Sequence, residues 1–109
     1  MDNTDIITQL QEFGPLPDDR TSAIDSYPLQ EFDALLQQLT EPLEPRHSLA
    51  LINLGPPRDA STFEVEWSLI HAAENISADE LQKILPYADN TEVKRIIEIR
   101  LNNYYNSPK

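Results

Sequence analysis

The side chains best equipped for chemistry in this chain are two histidines, His47 and His71, and 19 carboxylates; there is no cysteine. His71 and Glu74 stand one helical turn apart. Carboxylate metal sites in helical bundles need Glu-x-x-His on two helices plus further Glu, whereas this chain has the reverse order, and has it once. A His-Glu-x-x-His zinc motif and an Asp-rich calcium loop are both absent. The two glycines, Gly14 and Gly55, each precede a proline, which excludes a Gly-rich phosphate cradle. No Gly-x-Ser-x-Gly elbow presents a nucleophile. Neither a metal, a cofactor nor an enzymatic activity is expected, and His71 and Glu74 read as a hydrogen-bonded pair inside a helix interface.

Two charged residues fall where periodicity puts apolar ones. Trp67, His71 and Glu74 lie at i, i+4 and i+7, on a face shared with Phe63 and Ile70. In the last segment Val93, Ile97, Arg100 and Tyr104 lie at i, i+4, i+7 and i+11, so Arg100 is expected on the inward stripe. An inward guanidinium needs a carboxylate, because an unpaired buried charge costs several kcal/mol. Glu74 is its expected partner, with His71 nearby.

These residues require helices to position them. Nine prolines against two glycines mark off Pro-free segments of 3.6-type periodicity, and no Asn-Gly, Asp-Gly or Gly-Gly dipeptide suggests a hairpin. The first helix covers about Thr4 to Phe13, with Ile6, Ile7, Leu10 and Phe13 on one stripe, and stops at a left-handed Gly14 cap before Pro15. Leu16 to Thr21 reads as a loop. A second helix runs from Ser26 or Tyr27 to Thr40 on Leu29, Phe32, Leu35, Leu36 and Leu39. In Pro45 to Leu54 the residues Leu49, Leu51, Ile52 and Leu54 fit a buried helix or a short strand; Pro45 at a first turn and the Gly55-Pro56-Pro57 stop favour a third helix. Ser61-x-x-Glu64 and Ser77-x-x-Glu80 read as capping boxes that start two more. The fourth turns Phe63, Trp67, Ile70 and Ala73 inward and ends near Asn75; the fifth carries Leu81, Ile84 and Leu85 to Pro86. The last opens at Asp89 or Asn90 and presents Val93, Ile96, Ile97, Leu101 and Tyr104. The expected fold is all-α, a single domain over 1–109 of about six short helices arranged as stacked antiparallel hairpins, either solenoid-like or an irregular bundle. No fixed-period repeat is present.

Leu, Ile, Val and Phe supply 29 of 109 residues, above the floor of roughly 20% for a foldable core. The formal net charge is -11, which argues against nucleic acid and against an anionic membrane surface as partners. No apolar run reaches the length of a signal peptide core or a membrane span. A protein that stays in the cytoplasm is expected. The charge is uneven: residues 1–45 hold ten acids and one base, residues 46–109 nine acids and seven bases. A single-signed field of this kind selects partners of opposite sign and speeds their association. Asp18, Asp19, Asp25, Glu31, Asp33, Glu41 and Glu44 are the candidate contact residues, set ahead of the motif-bearing helices at 61–105.

The run Glu66-Trp67-Ser68-Leu69-Ile70-His71-Ala72-Ala73-Glu74, followed by Ile97-Glu98-Ile99-Arg100-Leu101-Asn102, resembles the all-helical immunity proteins of bacterial polymorphic-toxin and contact-dependent growth inhibition systems. In that family an aromatic-x-Leu-Ile/Leu-His-x-x-Glu helix precedes an Arg-Ile/Leu-Asn segment. The resemblance covers roughly residues 30 to 105, with Thr91-Glu92-Val93 where the family carries a Trp. It implies a protein without catalysis that binds the C-terminal domain of a cognate toxin one-to-one, many such toxins being nucleases. Trp67, His71, Glu74, Arg100 and Asn102 would then be scaffold residues. The charge suggests that the toxin is basic, most simply a ribonuclease, with carboxylates standing in for phosphates over its active site. The alternative is a helical adaptor or secretion chaperone that binds an apolar partner segment.

Overall fold

In a computed structural model, which describes residues 2–40 and 42–106, six α-helices follow one another with 3₁₀ turns at Ser22–Ser26 and Leu85–Tyr87. Helix α1, Asn3–Phe13, starts where the Asp2 carboxylate accepts the Asp5 N–H at 2.9 Å, and Ile6, Ile7 and Leu10 face the core. It stops at Gly14, with φ +83° and ψ 175°. That is an extended mirror-image conformation, not the left-handed helical cap expected, and glycine alone adopts it cheaply. The Tyr27 hydroxyl donates to the Gly14 carbonyl at 2.6 Å; burial pushes this phenol up to about 12, so it keeps the proton the bond needs.

Helix α2 is Leu29–Leu36, shorter at both ends than the Ser26-to-Thr40 expectation. Pro28 forces Tyr27 into extended backbone, ψ 132°, because the proline ring clashes with a helical predecessor. At the other end the Asn3 side chain grips Thr40, donating to its carbonyl at 2.8 Å and accepting its N–H at 2.9 Å, which bends the chain back to the start of α1.

Helix α3, Pro45–Asn53, packs on α1, α4, α5 and α6 and forms the centre of the fold, with Leu51 and Ile52 fully buried. Contacts of one helix with four others make this the irregular bundle of the two expected arrangements. His47 ties α3 to α1: its Nδ1 accepts the Glu44 N–H at 3.2 Å, which leaves the proton on Nε2, 3.0 Å from Thr4 Oγ1. Ser48 Oγ donates to the Ala73 carbonyl of α4.

Helix α4, Val65–Ala73, begins later than the Ser61 start expected. Phe63 has φ +47°, outside the right-handed helix, and the Thr62 hydroxyl is committed to the Pro17 carbonyl at 2.6 Å. Its buried face is Glu66, Leu69, Ile70 and Ala73. The expectation was right for Ile70 and Ala73 and wrong for Phe63 and Trp67, which are 58% and 48% exposed.

Helix α5, Ala78–Ile84, starts as read, with Ser77 Oγ accepting the Glu80 N–H. Helix α6 is Glu92–Asn106, capped by Thr91 rather than Asp89 or Asn90: its hydroxyl accepts the Lys94 N–H at 3.2 Å and donates to the Ile52 carbonyl at 2.8 Å. Gly55 allows this close approach, since a Cβ there would lie 2.6 Å from Val93 Cγ2. Val93 and Ile97 are buried; from Glu98 onward every α6 residue but Leu101 is exposed, Tyr104 included, against expectation. None of the described helices is long and apolar enough to cross a membrane.

Candidate functional site

The candidate acids of the N-terminal part do not share one environment. Asp18 holds Arg20 in a fork, Nε to Oδ1 at 3.1 Å and Nη2 to Oδ2 at 2.8 Å, and this guanidinium keeps its carboxyl below the usual range. Arg46 Nε and Nη2 both donate to Glu44 Oε2, at 2.9 and 2.8 Å, and likewise hold that carboxyl below the usual range. Asp19 Oδ2 accepts the Phe63 N–H at 3.0 Å. Asp25 and Glu31 are exposed and take no ion pair among the described residues. Asp33 is half-buried on α2, and its Oδ1 is enclosed without a hydrogen-bond partner among those residues. Glu41 lies outside the described residues.

Asp19 belongs to a second group that the sequence did not announce. The connection between α3 and α4 contains the two residues other than glycine that have positive φ among those described, Asp59 at +68° and Phe63 at +47°. Strained backbone persists only where its surroundings over-determine it, and here carboxylates do so. Glu92 Oε1 accepts the Asp59 N–H at 2.8 Å while its two oxygens take Arg95 Nε at 2.7 Å and Nη2 at 2.5 Å. Arg95 thereby holds the Glu92 carboxyl below its ordinary range. Glu66, 5% exposed, accepts the Thr62 N–H at 3.3 Å; burial raises its carboxyl, helped by the nearby charges of Glu92 and Asp19. These acids hold the loop that carries Phe63 outward. No apolar pattern points to them: Glu66 and Glu92 read as surface acids, and only their neighbours in space make them acceptors.

The motif residues divide into two places. Glu74 and Arg100 do meet, Oε2 to Nε at 2.6 Å, as expected. The pair sits at the surface, however: the Arg100 side chain is 46% exposed and that of Glu74 21%, so the inward position assigned to Arg100 is wrong. Together with Ile76, Leu81, Leu101 and Tyr104 the pair lines a groove of about 400 Å³. His71 does not join them. It is exposed, its ring lies tilted against that of Trp67 with centroids 6.3 Å apart, and the expected hydrogen bond to Glu74 is absent, Glu74 pairing with Arg100 instead. Asn102 is also exposed and accepts from Asn106 Nδ2 at 2.8 Å.

Trp67 and His71, one turn apart, thus face outward along α4, with the exposed Phe63 in the loop just ahead of the helix. Beside it a cleft of about 350 Å³ runs between α2 and α4, lined by Leu36, Gln37, Leu39, Ser68, His71 and Asn75 among others. Half-exposed aromatics next to a cleft are the residue types that anchor protein interfaces, and they stand beside the charge-dense N-terminal segment. Against family models, curated proteins and solved structures the chain finds no match.

Proposed function

We propose that the chain is a non-catalytic immunity protein that binds a basic toxin domain, most simply a ribonuclease, one-to-one in the cytoplasm and covers its active site. The observation that carries this reading is the charge distribution: a net charge of -11 with ten acids and one base in residues 1–45, of which Asp25 and Glu31 are exposed and unpaired among the described residues. A nuclease must present a positive groove to phosphates, and exposed carboxylates can occupy it. Co-expression with the C-terminal domain of a large secreted protein encoded immediately upstream is the direct test. Restored growth and a one-to-one complex are expected; continued killing sinks the reading. Charge steering adds a kinetic signature. Because the Debye length shrinks from about 30 Å at 0.01 M salt to about 8 Å at 0.15 M, the association rate should fall on the order of tenfold across that range while dissociation changes little.

The groove at Ile76, Leu81, Leu101 and Tyr104 favours a second reading, an adaptor or secretion chaperone for an apolar partner segment. Binding that survives high salt and is lost on Leu101→Asp would select it.

A further inference from the structure

We propose that the C-terminal end of α6, with the neighbouring side of α5, is a self-association face on which a second copy of this chain docks across a two-fold axis. Helix α6 packs on α3 and α4, and α5 on α3. Where α5 and the end of α6 approach, Tyr105 reaches across to Asp79 at 2.9 Å, and two grooves that share Leu101 stay open. One, of about 400 Å³, is lined by Ile76, Leu81 and Tyr104 among others; the second, of about 310 Å³, by Gln82, Leu85 and Glu98 among others. Ile99 and Tyr105 beside them are half-exposed and Tyr104 more so. A single copy leaves this apolar surface in water.

Charge selects the occupant. Two copies of a chain of net charge -11 repel wherever acids dominate, so they can meet only where both signs stand free. This end is such a place. Among the described cations Lys83 alone has neither a carboxylate nor a hydrogen-bond partner: Arg20, Arg46, Arg95 and Arg100 hold carboxylates, Arg58 donates to Asn90 and Lys94 to the Ala88 carbonyl. Lys83 follows Gln82 on α5, while the exposed Glu98, also without a partner among the described residues, lines the smaller groove from α6. A two-fold axis makes residue i meet j and j meet i, so one unpaired cation and one unpaired anion per copy give two ion pairs between copies. A basic protein gains nothing here, since Lys83 would face its cations and Glu74 and Asp79 are taken by Arg100 and the Tyr105 hydroxyl. The uncharged polar groups suit a copy of themselves as well: the amides of Asn102 and Asn103 and the phenol of Tyr104 each both donate and accept. The face lies outside residues 1–45, so dimerisation does not depend on the toxin.

Sedimentation equilibrium of the full chain from about 1 μM to about 300 μM should show a monomer–dimer equilibrium with a micromolar dissociation constant, as suits a small, partly polar interface. Tyr104→Asp should raise that constant at least about tenfold with unchanged helical circular dichroism. The charges give the sharper test, and because Lys83 and Glu98 are both exposed their variants keep the fold. Lys83→Glu alone and Glu98→Lys alone each set like charges against one another and should be monomeric. Glu98→Lys makes the chain less acidic, so net charge and specific pairing predict opposite signs for it. An equimolar mixture of the two variants should dimerise again, because each contact then joins opposite charges. A chain that stays monomeric over the whole range leaves the grooves to an apolar partner segment and overturns the proposal. A dimer that Tyr104→Asp leaves intact, or charge variants that do not recover on mixing, would place the contact elsewhere and overturn it too.

Discussion

Two arginine–carboxylate pairs involve α6, one within its first turn and one joining it to the C-terminal end of α4, and they share their chemistry but not their surroundings. Glu92 and Arg95 lie at the start of the helix, where the Glu92 side chain is 8% exposed and Arg95 32%, and Glu92 also holds the Asp59 N–H in a strained loop. Glu74 and Arg100 meet further along, 2.6 Å apart but with Arg100 46% exposed. The first pair is part of a network in which the Glu92 carboxylate is almost wholly enclosed. In the second pair, water can solvate either member once the other is gone. The two contacts are nearly equal in length, 2.5 and 2.6 Å, so distance does not rank their contributions; what the surviving partner faces after the loss does.

The largest expected effect tests this directly. Glu92→Ala leaves Arg95 half-enclosed and the Asp59 N–H without its acceptor, and should lower unfolding stability by about 2–3 kcal/mol in urea titrations. A loss below about 1 kcal/mol would erase the distinction between the two pairs. A smaller effect separates Glu92 from its neighbour Glu66 by sign. Glu92 lies below its ordinary value of 4.5, so its stabilisation is present above that pH and fades as pH falls through the lowered value. Glu66 is raised above the same 4.5, so the folded state holds its proton longer, and stability is lost as pH rises through the raised value. Glu66→Gln should match the wild type at pH 4 and be the more stable of the two at pH 7; a Gln variant that loses ground as pH rises would reverse that sign. The smallest effect belongs to the exposed pair. Arg100→Met should cost about 0.5 kcal/mol at low salt and less at high salt, and a variant as stable as the wild type would leave the pair without a structural role.

The same contrast explains what could be read in advance. Capping at Ser77, the proline at the start of α3 and the Leu29–Leu36 stripe are local: the signal and the structure it dictates lie within one turn, so each was legible. The inward face of α4 was not, because counting apolar residues drew Trp67 into it. Glu66, Leu69, Ile70 and Ala73 have the right i, i+3, i+4, i+7 spacing, but only a reader prepared to bury a glutamate would choose them. The Glu74–Arg100 pair was legible in identity and misplaced in depth, since periodicity gives a direction around the helix and says nothing of where the neighbouring helix ends. The candidate acids Asp18 and Glu44 were read as free charges, yet each is neutralised by an arginine two residues away, a local signal within reach of the sequence.

By itself the sequence determined the all-helical class, the number of helices, most of their stops and the acidity of the first 45 residues, because these follow from prolines, caps, periodicity and counting. Tertiary structure alone decided that α3 is central, that two buried glutamates hold a strained loop, and that Trp67 and His71 face outward beside a cleft. Those outcomes depend on which helix covers which face. Burial is a property of the neighbours a residue acquires, and the chain's own pattern constrains them only in part.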